Sequence, residues 1–245
     1  MTNIAPDIES ASKDYQSRFE GEIGRYFLEV QAKTLLSLLP PFQGGSLKIL
    51  EIGGGHGQLF EPLLKLGHEV WVQGSSAEAL WRIDSFKGDK SKLHCIQSPL
   101  DSLPFEDKFF DVVLNVRVVA HIDNLSSYLK EWCRVAKMRV IFDYPPLLSF
   151  NVFYPLFFRI KKVLEKNTRT FKIYKTNDFK KELDVLGWEI TEIKKQFFVP
   201  MVIHRKLNNA RRSFKIEEAC ANLGLTALLG SPAILAAQAK INKLH

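Results

Sequence analysis

Leu47-Lys48-Ile49-Leu50-Glu51-Ile52-Gly53-Gly54-Gly55-His56-Gly57 is the stretch that decides how this chain folds. A short apolar run, suited to a strand, passes directly into four glycines within five positions. Glycine accepts positive φ and lets a ligand approach the backbone where a Cβ would collide. Leu59 to Leu66 then repeats apolar residues at helical spacing until Gly67 stops it. The order is strand, glycine turn, helix. Free N–H groups at a helix start beside such a turn suit a nucleotide-like ligand at the carboxyl end of a sheet. A dinucleotide fingerprint has G-x-G-x-x-G, whereas Gly53, Gly55 and Gly57 give G-x-G-x-G.

Working outward, residues 12–38 carry Phe19, Ile23, Phe27, Val30, Leu35 and Leu38 near helical spacing and predict one helix, ended by Pro40-Pro41 and Gly44-Gly45. Downstream, strands are expected at Glu69–Val72, Leu93–Ile96, Phe110–Asn115 and Arg139–Asp143. Helices are expected between them, one capped by Ser75 or Ser76 and running toward Phe86, the other over Asn124–Val135. Alternating strands and helices mean βαβ units and a parallel sheet with right-handed crossovers. Thr176–Leu186 reads as a helix closed by Gly187, Trp188–Phe198 as a strand, residues 203–223 as a basic helix and Pro232–Ala239 as a last strand. The expectation is an α/β fold with a seven-stranded, mostly parallel sheet and helices on both faces. Residues 1–45 would form an N-terminal cap, 46–145 the ligand-binding core, 146–175 an insertion after strand five, and 176–245 the rest of the sheet.

With 245 residues and 46% hydrophobic content, the chain suits one α/β core. Only the first dozen residues are polar enough to suggest disorder. Cys95, Cys133 and Cys220 lie far apart and read as thiols in a reducing compartment. The N-terminus lacks a basic start followed by an apolar run, and no stretch of about 18 apolar residues exists, so a cytoplasmic protein is expected. A formal net charge of +7 raises nucleic acid or anionic lipid as partners. The excess sits in Arg159–Lys166, Lys172–Lys181, Lys194-Lys195 and Arg205–Lys215, which read first as solvated helix faces.

The glycine stretch and three later motifs resemble the class I S-adenosylmethionine-dependent methyltransferases, in a small-molecule, type-11-like branch. Glu51–Gly57 resembles the family's acidic residue, apolar residue and G-x-G-x-G; Leu103-Pro104-Phe105 through Phe110-Asp111-Val112-Val113 resembles L-P-F-x-D-x-x-F-D-x-V; Leu129–Val135 resembles L-x-E-x-x-R-V; and the Gly187-Trp188 step resembles a late helix-to-strand corner. The resemblance covers roughly residues 45–195. It implies a Rossmann-like fold and S-adenosyl-L-methionine as cofactor. Contacts to it would come from Glu51, Gly53, Gly54, Gly55, Gly57, Gly74 with its neighbours Gln73 and Ser75, Leu100, Asp101 and Asn115. Two places depart from the pattern. The acidic residue that usually ends strand two is Gly74 here, and the adenine-contacting region reads Ser98-Pro99-Leu100-Asp101.

Methyl transfer is an in-line displacement at an activated carbon, so a protein must chiefly align the nucleophile, exclude water and supply a base where the acceptor is a weakly acidic hydroxyl. The catalytic expectations are His121, after strand four, with Asp143 and Tyr144 at the end of strand five; Arg117 is the expected substrate contact. Asp143-Tyr144-Pro145-Pro146 is not the [DN]-P-P-[YF] motif of amino methyltransferases, since its order and strand differ. His56 could shape the cofactor turn. His94 and His204 lack metal-ligand spacing, and no metal is expected. Phe150, Phe153, Tyr154, Phe157 and Phe158 would give the insertion an apolar lining for a hydrophobic small-molecule acceptor, with oxygen favoured as acceptor atom. Residues 150–166 would add a weak membrane-surface contact. Two competing readings are an RNA or protein methyltransferase using the basic C-terminal half, against which no RNA-binding module is found, and a non-catalytic relative, motivated by Gly74. A monomer and a homodimer both stay open.

Overall fold

The computed structural model describes residues 5–42, 44–54, 57–149 and 172–240. The apolar run before the glycine turn forms β1 (Lys48–Ile52). Three helices precede it, α1 (Pro6–Ala11), α2 (Lys13–Ser17) and α3 (Gly21–Leu36). After the turn come α4 (Phe60–Lys65), β2 (Glu69–Gly74), α5 (Ala77–Asp84), β3 (Leu93–Gln97) and β4 (Phe110–Asn115). A single 3-10 turn, Val119–His121, leads to α6 (Leu125–Val135) and β5 (Ala136–Tyr144). Last are α7 (Thr176–Val185), β6 (Trp188–Phe197), α8 (Met201–Leu207), α9 (Ala210–Asn222), α10 (Leu225–Leu229) and β7 (Ser231–Ala239).

The seven strands form one sheet in the order β3-β2-β1-β4-β5-β7-β6. β1 to β5 pair in parallel, and β7 pairs antiparallel with both β5 and β6. Helices cover both faces, so the central strands are buried along their length. Side-chain alternation sends Leu50, Ile52, Val113 and Phe142 to one face, against Leu129 and Trp132 of α6 and Phe179 of α7. Ile49, Val70, Val72, Leu114 and Ile141 pack on the other face with Leu35 of α3, Leu63 of α4 and Ile83 of α5. Ser76 caps α5 by accepting from Ala79 N–H, and Asn124 caps α6 by accepting from Ser127 N–H.

Two of the sequence motifs turn out to be halves of one clamp. Glu131 of α6 accepts the Leu103 N–H at 2.6 Å, while Arg134 donates to the carbonyls of Leu103 and Phe105 at 3.1 and 2.7 Å and to Asp107 at 2.8 Å. The loop entering β4 is thus fastened to α6 by charge-assisted bonds.

The N-terminal region departs from the single helix expected over residues 12–38. Ser12 caps α2, and Gly21 enters α3 at φ +72°, so the chain turns between the two. That turn buries Phe19 with Ile23, Phe27 and Phe197. The first dozen residues are also not simply disordered. From residue 5 they form α1, whose Asp7 is fully buried and accepts from Ser75 N–H and Oγ, both at 2.6 Å. Trp81 of α5 donates to the Ala11 carbonyl at 3.2 Å. The expected helix over 203–223 divides at Asn208, which is left-handed at φ +45°. Exposed Lys206, Arg211, Arg212 and Lys215 lie on α8 and α9. The aromatic stretch expected to line the insertion, Phe150 to Phe158, and its basic run to Lys166 lie outside the described residues. The insertion's two ends are joined: Leu147 N–H bonds the Tyr174 carbonyl at 2.8 Å, and Tyr174 N–H bonds the Pro145 carbonyl at 3.0 Å.

Asp7→Asn removes a charge-assisted acceptor and leaves the amide unable to satisfy both Ser75 donors. A loss of about 2 kcal/mol in the docking of α1 is expected. Hydrogen exchange over residues 5–17 should then run roughly thirtyfold faster, with the strands unchanged. Unchanged exchange would mean that the apolar contacts of α1 suffice.

Candidate functional site

The site forms where the carboxyl ends of β1, β2, β4 and β5 meet the glycine turn. Gly53 N–H bonds the Gln73 carbonyl at 2.9 Å, which brings the turn back onto β2. Gly53 sits at φ +76°, and a Cβ there would stand 2.5 Å from Val118 Cγ2. A Cβ on Gly54 would come 2.6 Å from Val72 Cγ1. Both positions need glycine for close packing against the strand ends. Gly57 completes the described part of the turn; Gly55 and His56 lie outside the described residues. A narrow cleft opens beside it, lined by Ser10, Glu51, Gly53, Gly57, Gln58, Val116 and Arg117.

Glu51, near the end of β1, is buried at 4% exposure. Burial pushes its carboxyl up to about 8, against the pull of hydrogen bonds from Leu59 and Phe60 N–H at the start of α4. Its Oε2 is buried without a hydrogen-bond partner, as are Gln58 Oε1 and Arg117 Nη1 in the same cleft. Asn115, fully buried at the end of β4, donates to the Ile52 carbonyl at 3.2 Å and joins β4 to the exit of β1.

Arg117 follows β4 with φ +62°, a backbone region costly for a side-chain-bearing residue. Asp143 holds it there by accepting its N–H at 2.6 Å. The same carboxylate accepts from Gln31 Nε2 at 2.9 Å. Gln31 Oε1 in turn accepts from Arg117 Nη2 at 2.6 Å and from Gln58 Nε2 at 2.7 Å. The guanidinium lies 4.0 Å from the Phe19 ring centroid. Burial raises Asp143 to about 6, opposed by the Arg117 N–H and charge and by Gln31. Burial also lowers Arg117, while Tyr15 and Asp143 pull the other way.

The structure thus brings Glu51, Gly53, Gly57, Asn115, Arg117 and Asp143 together, and treats the other expected residues differently. Gln73 is spent on the turn, accepting from Gly53 N–H at 3.4 Å and donating to the Ser98 carbonyl at 2.5 Å. Ser75 is engaged by Asp7, so a carboxylate stands beside Gly74 after all, delivered from α1. Leu100 is a core residue whose carbonyl accepts from Trp132 Nε1 at 3.3 Å, and Asp101 is exposed beside it. Tyr144 does not reach the cleft. Its ring packs 4.6 Å from Phe179 and its hydroxyl bonds Thr176 Oγ1 at 2.7 Å. His121 closes the 3-10 turn, which Tyr174 and Lys172 brace through the carbonyls of Val119 and Ile122 at 3.1 and 2.9 Å. Asp7, Gln31 and Gln58 were not anticipated. Gln31 alone left a signal, a polar residue in the buried stripe between Phe27 and Leu35. Among the described residues no group of three or more His, Cys, Asp or Glu side chains could hold a metal, and no helix is long and apolar enough to cross a membrane.

An acid whose pKa is raised on folding costs stability as pH climbs from its unfolded value toward its folded one. For Glu51 that window runs from about 4.5 to about 8. Glu51→Gln should therefore unfold at higher temperature than wild type, with the gap small at pH 5 and on the order of 1–3 kcal/mol at pH 8. A gap independent of pH would show that Glu51 is not held as the neutral acid.

Residues 50–142 match a family model described as a methyltransferase domain. Two curated relatives are the ubiquinone biosynthesis O-methyltransferases of Pelagibacter ubique, 32% identical over 95 residues, and of Ruegeria pomeroyi, 37% identical over 92 residues. These alignments cover 38% of this chain and 38% of the first relative, and 37% and 36% for the second. The chain therefore spans under two fifths of the length of these relatives. Among solved structures, magnesium protoporphyrin IX methyltransferase of Synechocystis with bound S-adenosylhomocysteine superposes with a TM-score of 0.64 at 17% identity, over 93% of this chain and 94% of that one. The chain carries a methyltransferase domain over residues 50–142, on the fold of the class I S-adenosylmethionine-dependent methyltransferases.

Proposed function

We propose that this protein transfers the methyl group of S-adenosylmethionine to an oxygen of a small, apolar acceptor. The observation that carries the reading is the cleft itself. A glycine turn too tight for side chains adjoins three buried, unpartnered polar atoms, on Glu51, Gln58 and Arg117. Buried polar groups without partners are costly and rare, and a ligand with matching donors and acceptors removes the cost. Glu51 and the glycines would hold the amino-acid end of the cofactor. Leu100 and Asp101, on the loop after β3, would border its base.

When bound, the cofactor supplies a methyl group already activated by its sulfonium. The protein then has to orient an acceptor hydroxyl and take its proton. His121 suits the second task, with an ordinary pKa near 6.5 and a braced position after β4. Asp143 is better read as a positioning residue, since both its carboxylate oxygens serve Arg117 and Gln31. The printed name of the two relatives supports an oxygen acceptor of quinone-precursor type. A cytoplasmic location and an acceptor that is neither RNA nor protein belong to the same reading.

Release of S-adenosylhomocysteine should be detected when the protein is incubated with S-adenosylmethionine and a panel of catechols and other phenols. His121→Gln should lower kcat about a hundredfold or more while leaving the affinity for S-adenosylhomocysteine within about twofold. Binding without turnover on any phenol would favour the non-catalytic relative.

A further inference from the structure

We propose that Arg117 is the residue that binds the carboxylate of the cofactor's amino-acid end, and not a substrate contact. This rests on the reading of the cleft as the S-adenosylmethionine site and adds a residue to it. Three observations converge. The cleft carries unpartnered atoms of both polarities: the acceptors Glu51 Oε2 and Gln58 Oε1, and the donor Arg117 Nη1. An α-amino acid moiety is complementary to that set, since its ammonium has only donors and its carboxylate only acceptors. A neutral or purely anionic ligand would leave part of the set unsatisfied.

Second, the arginine is aimed by strain. A residue bearing a side chain is held at φ +62° by the bond from its N–H to Asp143 Oδ1, at 2.6 Å. Left-handed backbone at such a residue persists where its surroundings over-determine it. Third, the guanidinium is fixed on its other edges. Nη2 donates to Gln31 Oε1 at 2.6 Å and the plane lies 4.0 Å from the Phe19 centroid, so Nη1 is the edge that remains. Gln31 and Phe19 belong to the N-terminal region, and Asp143 to β5. The N-terminal cap therefore takes part in cofactor binding through Arg117, beyond covering the cleft.

The test compares two ligands on two variants by calorimetry: S-adenosylhomocysteine and its decarboxylated analogue. Arg117→Gly removes the side chain and gives the left-handed position the residue it prefers, so its folding is not in question on backbone grounds; Arg117→Lys keeps the charge. Wild type should bind S-adenosylhomocysteine at least about thirtyfold more tightly than the decarboxylated analogue. Arg117→Gly should weaken S-adenosylhomocysteine by a similar factor and discriminate between the two ligands by less than about threefold. Arg117→Lys should fall between. Undiminished discrimination by Arg117→Gly overturns the assignment, as does equal weakening of both ligands. Failure of the wild type to bind either ligand is a separate outcome, visible before any variant is made; it removes the methyltransferase reading and this assignment with it.

Discussion

The buried Glu51 carboxyl is the constraint around which the site is arranged. It sits one residue before the glycine turn, where the sheet ends, and it has no cation beside it to offset the loss of water. Only Leu59 and Phe60 N–H, at the open end of α4, bond to it. Those are among the donors that a helix start leaves unsatisfied. The carboxyl and the helix thus solve each other's problem in part, and the turn between them must be tight enough to bring them together. Glycine at 53 and 54 follows from that closeness, since a Cβ at either would overlap a valine side chain. The remaining unpartnered oxygen faces the cleft. A fold selected for stability alone would neutralise it; keeping it is a sign of ligand chemistry.

A second buried network ties the cap to this centre. Gln31 of α3 touches Asp143, Arg117 and Gln58, which come from three different parts of the sheet's carboxyl edge. Because the groups are buried, each bond is worth more than on the surface, and removing one member exposes the others to the full cost of an unmet polar group. The N-terminal helices are therefore part of the site's geometry.

Legibility in the sequence followed the range of the interactions. β4 appears over the same residues, Phe110–Asn115, that the apolar run indicates, and Ser76 and Asn124 cap the helices they precede. These are local effects, written in neighbouring residues. The paired motifs at Leu103–Phe105 and Glu131–Arg134 were legible as motifs, but not as the two sides of one clamp. Within the site, Glu51, Gly53, Gly57, Asn115 and Arg117 were found because a turn and two strand ends collect them. Tyr144 was drawn toward the cleft only by its neighbour Asp143, whereas strand alternation turns its side chain to the opposite face, onto Phe179. Asp7 could not be found, since its partner lies 68 positions away and nothing near it in sequence marks it as buried.

Gly74 shows how that long-range contact changes the site. A Cβ at 74 would stand 2.7 Å from Leu80 Cγ and 2.9 Å from its Cδ2, so the core side of α5 takes the space a side chain would need. β2 then ends without a polar group of its own, and the exposed N–H and hydroxyl belong to the next residue, Ser75. Asp7 fills that need from α1 with two short bonds. An acid built into β2 would be present whenever the sheet is folded. One carried by α1 is present only while that six-residue helix is docked, through Ser75 and the Trp81 bond to Ala11. Isolated helices of that length are unstable in water, so the carboxylate at this rim depends on tertiary contacts with α5 and on nothing in α1 itself. The substitution that looks like a lost ligand in the sequence therefore moves the acid from the rigid sheet to a mobile-by-construction element, and couples this rim of the cleft to the position of the cap.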